Sequence, residues 1–442
     1  METNNNNIAN KLEIKNILYT TLLVILFFSC KKKDDNPPVI NITYPIDNNS
    51  FSTIDSILVK GKITDDKKIV SYSFSIVDAQ MKIVCETETY NGENNKSINL
   101  NNDFFFSNIY LPTGQYYLLV SASDGTNTTN NYTKITLQAI NTELKKVIVS
   151  LDNNQTTDIY KIDSGQVKFL FSSLVEYQDV DVNSDYQQIM ILSKNGSLKS
   201  YDANSYNITW EKSNLNNYYT NYFARIKNFR KTTYVGYNFG NIKTINKYGT
   251  ITNTYDANND AFLPSDICEF NNEIFTYFFT KNTLSGEVAY FYETGNFHNY
   301  YALNLDQIIG IFAYDETKIL ILGNIGDSAK AYTLNPENNY LDNEDNFISA
   351  KILSAFKDDA NNIYFATTDK IQRYSINNKA IYSFINNINN ALLFYDKLNQ
   401  IIYVASGNQI KLYNKNGILI TSYTFISTVI DIDFLYNKSL DL

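Results

Sequence analysis

Hydrophobic and polar residues alternate with period two along most of the chain, the spacing of strands that bury one face. Between residues 39 and 140 the runs are short and regularly spaced. Val39–Tyr44 ends at Pro45. Ser56–Thr64 places Ile57, Val59 and Ile63 on alternate positions, interrupted by Gly61, and Ile69–Asp78 carries Tyr72, Phe74 and Ile76. Lys82–Tyr90, Ser97–Ser107, Gln115–Ser123 and Tyr132–Gln138 continue the pattern. About seven strands in roughly 100 residues, with turn residues every 8–12 positions, predict an antiparallel β-sandwich over 39–140.

From residue 144 the pattern repeats. Apolar cores recur at Val147–Leu151, Ile189–Ser193, Tyr234–Asn238, Ile274–Phe278, Ile319–Gly323, Ile363–Thr367 and Ile402–Ser406. The spacing of about 40–45 residues is that of a four-stranded propeller blade, with the apolar run as its second strand. Two stretches align without gaps: Ile363–Tyr374 on Ile402–Tyr413, and Asn246–Tyr255 on Asn414–Tyr423, the latter a glycine turn between strands. Val147–Leu151 has no first strand before it, and Val429–Leu435 has no blade after it. The second run supplies the first strand of the first blade, closing the ring without an open edge. The expected fold is all-β: a sandwich followed by a seven-bladed β-propeller over 144–442.

Leu111–Gly125 resembles the penultimate strand of bacterial immunoglobulin-like domains, and Ile63-Thr64-Asp65-Asp66 resembles the same family's early loop. The resemblance implies an Ig-like spacer or docking module. Asp358–Ala366 resembles the D-x-x-G-N-I-Y-V-A phrase of NHL-like and sensor-type bacterial propellers, with Asn361 in the glycine position. There is no Trp-Asp blade ending, and Trp210 is the single tryptophan, unlike the quinone-enzyme propellers.

The N-terminus carries a different pattern. An apolar run from Asn16 to Cys30 follows Lys11 and Lys15, and is too short for the roughly 20 residues that span a bilayer. Basic flank, short apolar middle and small-residue exit fit a secretory signal. With Ser29 before Cys30 the stretch resembles a bacterial lipoprotein signal, though Phe27 stands where that pattern usually has Leu. The resemblance implies a lipoprotein signal peptide over 1–30, cleaved so that Cys30 becomes the first mature residue and carries the acyl chains that hold the protein at a membrane. The next residues, Lys31, Lys32, Lys33, Asp34 and Asp35, look like the export tag of Bacteroidota surface lipoproteins. Residues 31–38 then form a charged and proline-stiffened tether. This implies outer-membrane anchoring at the cell surface, the periplasmic face being the alternative.

A net charge of −9 lacks the basic footprint that nucleic acid requires, so no nucleic-acid partner is expected. Cys85 and Cys268 fall in different predicted domains and read as separate buried thiols. His298 is the only histidine and reads as a surface residue; no G-x-S-x-G elbow or zinc-spaced cluster accompanies it. No catalytic residue, metal ligand or cofactor is therefore assigned. Asp65, Asp66 and Asp124 are read as solvated loop residues rather than calcium ligands. Asp179, Asp181, Asp185, Asp431 and Asp433 are read as solvated blade edges, their alternative being a channel lining. Among 36 Tyr and 27 Phe, two dense patches stand out as possible sugar platforms: Tyr218, Tyr219 and Tyr222, and Tyr300 with Tyr301. The expected function is a lipid-anchored envelope protein presenting a propeller to a glycan or a protein. The alternatives are a propeller lyase or hydrolase using channel carboxylates, and a periplasmic assembly factor.

Overall fold

The computed structural model describes residues 36–153, 156–163, 165–194, 196–213, 222–257, 259, 261–280, 286–348 and 350–440, without the side chains of 344–348. Cys30, the Lys31–Asp35 tag, Tyr218 and Tyr219 lie outside the described residues. The chain divides into two compact units, Met1–Asn141 and Thr142–Leu442.

The first unit holds six strands: β1 (Val39–Tyr44), β2 (Asn49–Ser52), β3 (Ser56–Val77), β4 (Glu88–Phe105), β5 (Gly114–Ser123) and β6 (Thr128–Gln138). They form one hydrogen-bonded system in the order β1-β3-β5-β6-β2, with β4 on β3 and β2 parallel to β6. Two expected strands merge here. β3 runs through Gly61 and Asp65-Asp66, absorbing the break as a register shift between Thr64 and Ile69. Lys82–Tyr90 is not a strand: Ile83 makes a single bridge to Val77, and β4 begins at Glu88. Ile57, Val59 and Ile63 from one half of β3 share a core with Leu118, Val120, Ile135 and Leu137. The sheet therefore folds over one interior, each such side chain contributing about 1.5–3 kcal/mol by burial.

Asp65 and Asp124 shape turns rather than facing solvent idly. Asp65 accepts the N–H groups of Lys67 and Lys68 at 2.8 Å, and Asp124, only 2% exposed, accepts those of Thr126 and Asn127. The solvated-loop expectation is thus corrected for Asp124, whose carboxylate replaces water with backbone donors.

The second unit is a β-propeller; among the described residues it holds seven four-stranded antiparallel sheets. The seven apolar runs read from the sequence each lie on the second strand of a sheet, where neighbouring sheets cover both faces. Gln188–Ser193 is buried at every position. The first strands are Val429–Tyr436, Tyr177–Asn183, Phe223–Phe229, Phe262–Phe270, Gln307–Ala313, Ser354–Lys357 and Leu392–Asp396. They meet in a closed cycle, each packing on the first strand of the next sheet. Val429–Tyr436 pairs with β7 (Leu144–Asp152), so the two ends of the unit share one sheet. Ser184 Oγ accepts the Tyr436 N–H (3.1 Å), Tyr436 Oη donates to Asp396 (2.9 Å), and Glu143 and Asn437 exchange two hydrogen bonds.

Recurring turns come from recurring side-chain acceptors. Asp358 accepts the N–H groups of Ala360 and Asn362, and Asp396 those of Leu398 and Asn399, between first and second strands. Asn361 takes φ 58°, the left-handed conformation that explains why asparagine replaces glycine there. The aligned glycine turns are alike in detail. Asn246 accepts from Tyr248 and Thr250, Asn414 from Asn416 and Ile418, and Gly249 and Gly417 take φ 78° and 77°.

Candidate ligand site at the axial channel

Each first strand sends alternate residues into the blades and towards the axis. Ile432, Val180, Ile226 and Ile267 belong to the apolar interiors of their sheets. Their neighbours therefore face the axis: Asp431 and Asp433, Asp179 and Asp181, Arg225 and Lys227, Asp266 and Cys268. Five carboxylates and two cations converge on four consecutive sheets.

Three of these carboxylates have a structural task. A first strand is an edge strand with backbone N–H groups that no neighbour pairs. Asp179 accepts the Ile226 N–H (2.8 Å), Asp181 that of Asn228 (2.7 Å), and Asp266 that of Ile311 (2.9 Å). Each acid thus staples its sheet to the next. Arg225 donates to Asp179 at 3.0 Å and lies 3.9 Å from Asp266, bridging two sheets. Asp431 accepts the Ile432 N–H (2.9 Å) and the Tyr177 hydroxyl (3.0 Å). Asp433 Oδ2 is buried with no hydrogen-bond partner.

The electrostatics follow from burial. Desolvation raises the Asp179 carboxyl, opposed by Arg225. It pushes Asp181 up to about 6, against the pull of Lys227, and Asp431 up to about 7, helped by the charge of Asp179. Asp433 is driven well above the carboxylate range by burial, then by Asp431 and Asp181. Burial alone would lower Arg225 and Lys227; the surrounding carboxylates raise both. The Cys268 thiol is pushed up to about 12 by burial and by Asp266.

At the end of the channel where the first strands finish lies a cavity of about 270 Å³. Asp181 and Asp433 reach it from within their strands, whereas Arg230 and Lys397 reach it from the turns beyond. Phe229 and Phe434 give it apolar walls. Three lining residues carry buried polar atoms without partners: Asn228 Nδ2, Tyr395 Oη and Asp433 Oδ2. Among the described residues no three His, Cys, Asp or Glu side chains are placed to share a metal ion.

The expectation of solvated blade edges is corrected for Asp179, which is 2% exposed because an unpaired inner-edge N–H group takes the place of water, while Asp181, Asp431 and Asp433 are half-buried. Asp185 lies outside the cluster and accepts the Ser439 N–H at 2.8 Å. Tyr222 is half-buried among Phe223, Tyr237 and Phe239, in edge-to-face contacts at 4.8–5.5 Å. Tyr300 and Tyr301 sit on an outermost strand, Phe297–Leu303, of the following sheet. Tyr300 is 53% exposed, while Tyr301 donates to the Asn339 carbonyl at 2.5 Å. The structure does not bring Tyr222 together with this pair. His298 is half-buried rather than superficial: it meets Glu273 at 2.5 Å and stacks on Tyr292 at 4.4 Å, pinning one blade's rim. Cys85 is 3% exposed and no disulfide joins it to Cys268. Arg225, Lys227, Asp266, Asn228 and Tyr395 were not picked out by sequence reasoning. Their signal is the pairing of charges two apart on successive first strands: Asp431-x-Asp433, Asp179-x-Asp181 and Arg225-x-Lys227.

No protein-family model matches the sequence, and no curated protein matches it. Solved structures do resemble it in fold. A quinonprotein alcohol dehydrogenase-like protein from Bacteroides thetaiotaomicron VPI-5482 is 11% identical, covers 92% of this chain and 100% of its own, and gives a TM-score of 0.47. The Dos1 propeller is 10% identical over 65% of this chain and 87% of its own, with a TM-score of 0.46. The computationally designed Ika8 protein is 14% identical over the same shares, also at 0.46.

Proposed function

We propose that this chain is a lipid-anchored cell-envelope binding protein of the outer membrane, facing the cell surface. In this reading an immunoglobulin-like unit and a complete seven-bladed propeller follow one another in sequence, and the propeller binds a glycan at the channel mouth. The observation that carries the reading is the cavity itself. Aromatic walls from Phe229 and Phe434 stand beside unpartnered polar atoms of Asn228, Tyr395 and Asp433. Sugars present apolar ring faces and radial hydroxyls, and this mixture matches both. A cavity of about 270 Å³ suits one saccharide unit better than a peptide segment.

The hydrolase alternative needs a carboxylate pair free to act on substrate. Asp179, Asp181 and Asp266 are committed to backbone staples, which favours binding over turnover. A glycan array probed with the full mature chain tests the site. Binding to a defined set is expected, weakened about tenfold or more by Phe434→Ala. A blank array from protein with a normal melting curve refutes the glycan reading. Protease shaving of intact cells tests the anchor: wild type is cleaved, and Cys30→Ala is released or mislocalised. Protection in intact but not lysed cells places it on the periplasmic side.

A further inference from the structure

We propose that the channel mouth takes its ligand through a protonated primary amine, which seats against Asp433 beside Asp181, so that the favoured glycan carries an amino sugar. This rests on the glycan reading above and names the chemistry at the inner end of the same cavity.

Charge around the axis is unmatched. Five axis-facing carboxylates outnumber two axis-facing cations, Lys227 acting on Asp181, Asp431 and Asp433 together, while Arg230 and Lys397 line the cavity from the turns beyond. Arg225 is held by Asp179 and Asp266. Both Asp181 oxygens take backbone donors, from Val182 (2.8 Å) and Asn228 (2.7 Å), and Asp431 is occupied by Ile432 and Tyr177. Asp433 differs: its buried Oδ2 accepts nothing. A buried carboxylate without a partner is tolerated only when a proton or a cation neutralises it. Burial raises the Asp433 carboxyl, which favours its neutral form until a cation arrives.

An ammonium supplies the same neutralisation with three donors, enough for Asp433 and a second acceptor in the cavity. A hard divalent cation fits less well. Calcium takes 6–8 oxygens, whereas among the described lining residues only Asp433 Oδ2 and Tyr395 Oη are uncommitted buried oxygens. The position also suits an amine on a ring. Asp433 belongs to the first strand and reaches the cavity from inside, while Phe434 and Phe229 lie at its walls, so a sugar ring is held as its amine points towards the axis.

Calorimetric titration of the full mature chain at neutral pH with glucosamine, N-acetylglucosamine and glucose tests this. Glucosamine is expected to bind about tenfold tighter or more than either neutral sugar. In Asp433→Asn, which removes no described hydrogen bond, that preference falls to about twofold or less with the melting temperature retained. Equal affinity for all three sugars overturns the inference and leaves the glycan reading standing. Preference for glucosamine that survives in Asp433→Asn overturns it too. If none of the three binds while the array reports other glycans, the amine is wrong and the site is right. If the array is also blank, the glycan reading fails and takes the inference with it.

Discussion

Substituting Asp431 by asparagine isolates the energetic consequence of crowding acids around the axis. The Asp431 carboxyl is pushed up to about 7 from an ordinary 3.8, first by burial and then by Asp179. The native state therefore keeps a proton that the unfolded chain gives up near its ordinary value. Stability from this group is fully present below the unfolded value and is lost as pH rises through about 7. One proton displaced by about three pH units corresponds to ~4 kcal/mol at the limit. Between about pH 5 and about pH 8 the loss is on the order of 2–3 kcal/mol, spread over Asp431, Asp181 and Asp433 because they share one field. Asparagine cannot ionise, yet its carbonyl still accepts from Ile432 and its amide can donate to the Tyr177 hydroxyl. Urea unfolding of wild type and Asp431→Asn across that range should show the variant gaining steadily on the wild type. Acids with lowered values elsewhere, such as Asp124 and Asp202, oppose the trend in both proteins and cancel in the difference. Parallel curves, or a wild type that gains on the variant as pH rises, would refute the picture of a proton-loaded channel.

Two tyrosines read alike from the sequence should behave unlike. Tyr222→Ala should cost about 3 kcal/mol in urea unfolding because three aromatic neighbours lose a packing partner, while Tyr300→Ala should change stability by less than about 0.5 kcal/mol. Phe434→Ala should weaken array binding, Asp433→Asn should erase the preference for glucosamine, and Cys30→Ala should release or mislocalise the protein.

What the sequence revealed and concealed follows from burial. The second strands are covered on both faces, so runs such as Ile189–Ser193 and Ile319–Gly323 stand out as unbroken apolar stretches. The turn chemistry was legible for a similar reason, since Asn246 and Asn414 repeat one local hydrogen-bonding pattern that needs no tertiary knowledge. The first strands misled. Asp179, Asp181, Asp431 and Asp433 look like solvent-facing residues, because polarity ordinarily signals exposure; for the first three, donors from the next sheet in the ring take the place of water and cannot be seen locally. In the first unit, Gly61 and Asp65-Asp66 resemble a strand break, yet β4 pairs along both halves of β3 and carries it across. The two aromatic patches lie in successive sheets, Tyr222 beside a first strand and Tyr300 with Tyr301 on an outermost strand.

The pairing of Leu144–Asp152 with Val429–Tyr436 has a consequence in time. Strands nearly three hundred residues apart must meet before the ring exists, a loop closure that favours slow folding. During synthesis every sheet between them can form by local hairpins, but the strand Leu144–Asp152 waits with one edge open until Val429–Tyr436 arrives. The ring thus stays open until that strand is made, which gives any machinery that handles unfolded chains a long interval in which to act. A chain arrested before Val429 would keep that edge open and be exposed to edge-to-edge association.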